Sequence, residues 1–212
     1  MTDLVNDAAL RVLPLPAQPW RYGPRFLEAL VAAAAMHAAQ PRKGSEIPYV
    51  SHVLGACSIA LDYGATEDEA IAALLHDVIE DVEPTEAARA VVASFGPDVQ
   101  RIVEGCTKAE RDDDAGSFEA KMAYATRFAR ADASILLVAA ADKLHNARSI
   151  VADLRRTGYA VFKRFSVSRE ETLTYYRFLV TTFRANPAHN PDLLGELDRV
   201  ATEMEALAAP RS

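Results

Sequence analysis

Apolar positions along the chain recur at spacings of three and four over long windows, and no segment shows sustained one-for-one alternation. That periodicity belongs to amphipathic helices rather than half-buried strands. Proline, glycine and capping residues cut the pattern into pieces. The spacing predicts a helix rich in Ala and Leu from about Pro24 to Gln40, ended by Pro41, and a second from about Tyr49 to Tyr63, stopped by Gly64 at a C′ position. Thr66 followed by Glu69 reads as a capping box, opening a helix that runs through Leu74–Asp81 until Pro84 closes it. Further helices are expected from about Thr85 to Phe95, from Pro97 to near Cys106, and from about Ser117 to Arg130. Asp132 caps a long helix from Ala133 to about Arg156. A second capping box, Ser168 with Glu171, opens a helix to about Arg184, and Asn190-Pro191 starts a last one reaching about Ala208. The expected fold is all-α, a bundle of about eight to ten helices.

Residues 1–22 depart from this pattern. Pro14, Pro16 and Pro19 oppose helix, so the segment is expected to be an extended arm, with Leu13, Leu15 and Trp20 available to pin it to the body. Neither repeats nor a low-complexity linker interrupt the remainder, and residues 23–212 are expected to form one domain.

Composition narrows the function. Half of the 212 residues are hydrophobic and a quarter charged, as in ordinary globular domains, and the 8% aromatic content suits helices better than a β-rich core. A net charge of −7 with a pI near 5.3 argues against broad nucleic-acid binding, which needs a basic footprint. A small phosphorylated ligand remains compatible, because local cations or a metal can outweigh a negative total. Two cysteines, Cys57 and Cys106, lie in apolar or small-residue surroundings and read as buried free thiols of a reducing compartment. The first residues carry Asp3 and no basic run, and no apolar stretch approaches the about 18 residues a membrane span needs. The cytoplasm is the expected location.

Chemistry concentrates in three places. In Leu74–Asp81, a continuous helix at about 100° per residue would put Asp77, Glu80 and Asp81 within about 140° of His76, opposite Leu75, Val78 and Ile79. His52 stands at the front of the helix that follows the Arg42-Lys43-Gly44 loop. Asp142 follows the wholly apolar run Ile135–Ala141, with Asn146 one turn on. A carboxylate there should be buried, which is costly unless it is paired or bound to a cation. Two His and two Asp from separated segments suit a divalent ion of the hard-to-borderline kind, and no thiolate is offered for a structural zinc site. Glu80, one turn from His76, can serve a metal-bound water without being a ligand.

This H…HD…D pattern resembles the HD superfamily of metal-dependent phosphohydrolases. Arg42-Lys43-Gly, Pro48-Tyr49-x-x-His52, His76-Asp77-x-x-Glu80-Asp81 and Asp142-Lys-Leu-His-Asn146 together look like the hydrolase domain of RelA/SpoT homologues, and the short chain is similar to stand-alone small alarmone hydrolases. The resemblance covers about residues 24–185. It implies that His52, His76, Asp77 and Asp142 hold one Mn²⁺ and that Glu80 and Asp81 position and deprotonate the attacking water. It further implies that Arg42 and Lys43 flank the guanine, that Asn146 contacts the ribose or phosphate region, and that Tyr175 or Tyr176 contacts a phosphate or sugar. The implied reaction removes the 3′-pyrophosphate of ppGpp or pppGpp. Lys121 and Tyr124 keep a spacing seen in such hydrolases, whereas Ala120 and Ser117 stand where a basic and an aromatic residue are common. Lys121 is then the candidate phosphate ligand of that helix. The alternatives are an HD phosphohydrolase acting on another nucleotide or phosphorylated cofactor, such as ppApp or NADPH, and a catalytically silent nucleotide-binding module. Oligomeric state is left open, a homo-oligomer included.

Overall fold

The computed structural model describes residues 22–108 and 117–209. The expected arm, apart from Tyr22, and the polar loop 109–116 lie outside them.

Among the described residues there are ten α-helices and no strands; an isolated bridge joins Pro41 and Pro48. The helices are α1 (Pro24–Met36), α2 (Val50–Asp62), α3 (Glu67–Leu75), α4 (Val78–Asp81), α5 (Thr85–Ser94), α6 (Pro97–Cys106), α7 (Phe118–Thr126), α8 (Ala133–Thr157), α9 (Arg169–Ala185) and α10 (Pro191–Ala208). Local signals account for most boundaries. Both capping boxes form, at Thr66–Glu69 and Ser168–Glu171, and Asp132 and Asn190 cap α8 and α10 through their side chains. Ser117, where the resemblance leads one to expect an aromatic residue, is the N-cap of α7 and accepts from the Ala120 amide. Such caps contribute about 1 kcal/mol each.

The centre of the bundle is α3 against α8. Ala70 to Leu75 are all buried, so beyond its acidic first turn α3 is apolar all round, as a central helix must be. The long α8 buries Leu136–Asp142, Leu144, Ala147, Ile150, Val151 and Leu154, and packs on α2, α3, α6 and α10. Small residues permit the close approaches. A Cβ on Gly55 of α2 would stand 2.2 Å from His145 Cδ2 on α8. Cys57 and Cys106 are buried and unpaired, as expected. No described helix is long and apolar enough to cross a membrane.

Two segments differ from the sequence reading. The helix predicted through Leu74–Asp81 is not continuous. α3 stops at Leu75, His76 and Asp77 form a turn, and α4 begins at Val78. The last turn of the helix expected to reach Arg130 is tightened to 3-10 geometry over Arg127–Arg130, and a second 3-10 segment, Gly158–Arg164, follows α8.

Candidate active site

The break between α3 and α4 sets the geometry of the site. Asp77 is the N-cap of α4, yet its side chain caps nothing. Its Oδ2 turns inward, 3.0 Å from His76 Nε2 and 3.3 Å from His52 Nε2, and accepts a 2.5 Å hydrogen bond from the Tyr49 hydroxyl. Asp142, from the middle of α8, places Oδ1 3.2 Å from His52 Nε2 and 3.6 Å from His76 Nε2. His52, His76 and Asp142 are all buried, and the atoms they offer as candidate ligands lie within 4.8 Å of one another. Three of the four residues singled out as ligands thus share one point, and the fourth, Asp77, stands beside both histidines.

Hydrogen-bond polarity tells which ring atoms are free to ligate. His76 Nδ1 lies 2.9 Å from the Ala73 carbonyl, an acceptor, so Nδ1 carries the proton. Its Nε2 is buried without a hydrogen bond, facing two carboxylates. His52 Nδ1 lies 2.8 Å from His145 Nδ1, and Arg42 Nη1 approaches the same His145 nitrogen at 3.4 Å. A guanidinium only donates, so His145 Nδ1 accepts, His52 Nδ1 donates, and His52 Nε2 is left with its lone pair toward the site. Two imidazole Nε2 atoms and two carboxylates gathered in this way fit a divalent transition ion.

The electrostatics agree. Burial alone would push Asp142 up, but the Lys143 ammonium, 2.6 Å from Oδ2, and the facing histidines hold its carboxyl well below the usual carboxylate range. Burial likewise opposes ionisation of Asp77, and His76 and His52 reverse it, again to well below the usual range. Burial opposes charge on His76, but Asp77 and Asp142 outweigh it and hold its pKa well above the ordinary value. All three shifts describe a field that favours a cation at this point. His145 goes the other way: burial first, and positive charge around it such as the Arg42 guanidinium, lower it to about 4, so it stays neutral and can accept.

The acid pair flanks the centre. Glu80 accepts from the Lys108 backbone amide at 2.7 Å and pairs with the Lys108 ammonium at 2.6 Å, while Asp81 Oδ2 accepts from Gln40 Nε2 at 2.9 Å. Asn146 donates to Asp142 Oδ1 at 2.6 Å and accepts from Arg42 Nη2 at 2.8 Å, which ties the Arg42-Lys43 loop to α8. Lys43 is exposed beside it.

A basic wall completes the site. Lys121 Nζ stands 5.7 Å from the Tyr175 ring centre; Lys143 and Lys108 stand 5.3 and 6.0 Å from that of Tyr124, with the Arg127 guanidinium at 5.9 Å. Burial and the neighbouring charges of Lys108, Lys143 and Lys43 lower Lys121 to about 8. Lys108, Lys143, Gln40 and His145 were not singled out in the sequence, and Tyr49 was named only as part of the motif Pro48-Tyr49-x-x-His52. Lys143 and His145 sit inside the Asp142–Asn146 motif, which was the available signal; Lys108 and Gln40 carry none.

An all-helical bundle holding His, His-Asp and Asp at one buried point is the architecture of a metal-dependent HD hydrolase. The family described as HD domain matches residues 29–172, and the chain belongs to it. It is 33% identical over 148 residues to a GTP pyrophosphokinase rsh of Brucella ovis, covering 66% of this chain but only 20% of that protein, so the chain spans about a fifth of that relative's length. It is 32% identical over 178 residues to the guanosine-3′,5′-bis(diphosphate) 3′-pyrophosphohydrolase MESH1 of Xenopus tropicalis, covering 82% of this chain and 92% of that one. Among solved structures, one described as a metazoan ortholog of SpoT that hydrolyzes ppGpp superposes with a TM-score of 0.68 at 27% identity, over 86% of this chain and 97% of the other.

Proposed function

We propose that the chain is a Mn²⁺-dependent 3′-pyrophosphohydrolase of guanosine alarmones, converting ppGpp to GDP and pppGpp to GTP with release of pyrophosphate. The reading is carried by one conjunction: a His–His–Asp–Asp cluster, an acid pair one turn on and several lysines, two of them bonded to Glu80 and Asp142, belong to one site. Similarity to MESH1 across nearly its whole length supports the same substrate class.

His52, His76, Asp77 and Asp142 would hold the ion. The chemistry such an ion supplies when bound is acidification of water and neutralisation of phosphoryl charge. The chain's own groups do the rest. Glu80 and Asp81 orient the attacking water and take its proton as it adds to the 3′-linked phosphorus; the bond from that phosphorus to O3′ breaks, and O3′ is protonated. Lys108, Lys121 and Lys143 neutralise phosphate charge, which is the main demand of phosphoryl transfer. Arg42 and Lys43 flank the base, and Asn146 and Tyr175 line the ribose and phosphate region. A compartment that keeps thiols reduced, the cytoplasm, suits the two free cysteines.

The test is turnover. Purified protein is incubated with Mn²⁺ and, separately, ppGpp, pppGpp, ppApp and NADPH, and pyrophosphate or phosphate release is followed. Asp77→Ala is expected to lose the metal and activity together, and Glu80→Ala to keep the metal and lose turnover. Turnover of another nucleotide with none of ppGpp or pppGpp would overturn the substrate assignment.

A further inference from the structure

His37, at the C-terminal turn of α1, is 1% exposed, which is unusual for a titratable side chain no proposed step requires. Its Nδ1 lies 2.6 Å from Gln40 Oε1, and the same amide sends Nε2 to Asp81 Oδ2 at 2.9 Å. Asp81 itself is exposed, on a helix of four residues. An exposed carboxylate in that position ordinarily samples several rotamers in water. The Gln40 amide is the hydrogen bond that the structure gives it.

The polarity of this chain is self-consistent in one direction when Asp81 is ionised. The carboxylate only accepts, so Gln40 must present its NH₂, which turns Oε1 toward His37 and requires His37 to donate from Nδ1. His37 Nε2 is then the unprotonated nitrogen, in agreement with its being buried without a hydrogen bond. Burial of His37 between α1 and the Tyr49 ring, 4.8 Å away, locks the imidazole, and the imidazole locks the amide. The backbone serves the same end: Tyr49 N donates to Gln40 O at 2.8 Å, while the Tyr49 hydroxyl holds Asp77. One short segment therefore fixes a carboxylate of the metal set and a carboxylate of the acid pair.

We infer that Gln40, held by His37, is a positioning residue that aims the Asp81 carboxylate at the attacking water. The inference rests on the proposed role of Asp81, and the experiment separates the two. Gln40→Leu keeps the volume and removes the donor; Gln40→Glu turns the donor into a repelling charge; His37→Phe fills the pocket and frees the amide. Each is compared with wild type and with Asp81→Asn for kcat and KM on the nucleotide turned over, for Mn²⁺ content and for thermal unfolding.

Misaiming a reacting group by about 1 Å lowers turnover by up to about 100-fold. Gln40→Leu is expected to lower kcat about 10-fold, with KM within about 2-fold and Mn²⁺ content unchanged, and Gln40→Glu to lower it further. The double variant Gln40→Leu/Asp81→Asn should be no slower than Asp81→Asn alone, because a residue acting through Asp81 has nothing left to act on. Independent, multiplying losses in the double variant would overturn the inference, as would a Gln40→Leu enzyme with wild-type kcat. A wild-type rate in Asp81→Asn would instead remove the role of Asp81 itself, and the inference with it.

Discussion

Gly55 offers a sharp test of how the centre is held. It lies inside α2, one turn after His52, and replacement by Ala is the kind of change that ordinarily strengthens a helix by about 1 kcal/mol. Here the added methyl would stand 2.2 Å from His145 Cδ2 and 2.3 Å from its Nε2. Ordinary contact begins at 3.4 Å, so the ring must retreat by the difference, about 1.2 Å. Because His52 and Gly55 sit on the same helix, a ring pushed away from α2 also leaves His52, stretching the 2.8 Å bond that fixes the His52 tautomer toward about 4 Å. Loss of such an outer partner typically costs 10- to 100-fold in metal affinity, about 1.4–2.8 kcal/mol. Overpacking adds about 1–3 kcal/mol of destabilisation, which offsets or exceeds the helix gain. Mn²⁺ affinity by calorimetry and chemical unfolding of the metal-free protein give the two numbers separately. Gly55→Ala should bind Mn²⁺ at least about 10-fold more weakly. The double variant Gly55→Ala/His145→Ala, with the clash relieved, should recover stability but not affinity. A Gly55→Ala protein that is more stable than wild type and binds Mn²⁺ equally well would refute the reasoning.

Three further outcomes are expected from the same geometry. The pKa of His76 is held well above its ordinary value, so a proton competes for Nε2 into the neutral range; Mn²⁺ binding should release protons and weaken as pH falls, and calorimetry at pH 7 in buffers of different ionisation enthalpy should count them, whereas a buffer-independent heat would contradict this. Lys121 lies at about 8 and an anionic ligand favours its charged form, so kcat/KM should fall as pH rises through about 8; Lys121→Arg, charged throughout, should lack that limb, and its persistence there would dismiss Lys121 as a phosphate contact. Leu75→Ala, at a fully buried position on α3, should destabilise the fold by about 2–5 kcal/mol in denaturant unfolding, and a change under about 1 kcal/mol would mean that the α3 core is less tightly packed than described.

Much of this was legible in the chain, for physical reasons that differ between elements. Capping boxes, Asp132, and Pro97 and Pro191 at first helical positions are local devices, and each began a helix where expected. The burial of Asp142 was legible because the apolar run before it advertised it, and a buried carboxylate needs a cationic partner. The partners of the ligands were not. Tyr49 reaches Asp77 across 28 positions, His145 reaches His52 across 93, and Lys108 reaches Glu80 across 28. Such pairings are made by packing, and no spacing on one helix encodes them. The departures at Ser117 and Ala120 also look different in space. Ser117 caps α7, and the cationic charge of this wall comes from Lys108, Lys143 and Arg127 around Tyr124.

The turn at His76-Asp77 is where helical periodicity misled, and it holds two of the four candidate ligands. Consecutive side chains on a helix diverge by about 100°, yet Asp77 Oδ2 and His76 Nε2 stand in contact. No proline or glycine marks the break, which is why the pattern reads straight through it. Asp77 leaves α geometry for φ −99° and ψ −4°, in the bridge region where active-site residues are often found. The chain then restarts as α4 with Asp77 at its head, and the carboxylate that would cap α4 turns back toward His76 Nε2, 3.0 Å away. The restart also re-aims the acid pair one turn on. Glu80 meets Lys108 beyond α6, and Asp81 meets Gln40 beyond α1. A single helix would have held the four polar side chains on one broad stripe. The turn instead leaves His76 and Asp77 against His52 and sends Glu80 and Asp81 to different partners, the arrangement that the proposed hydrolysis at a metal centre would use.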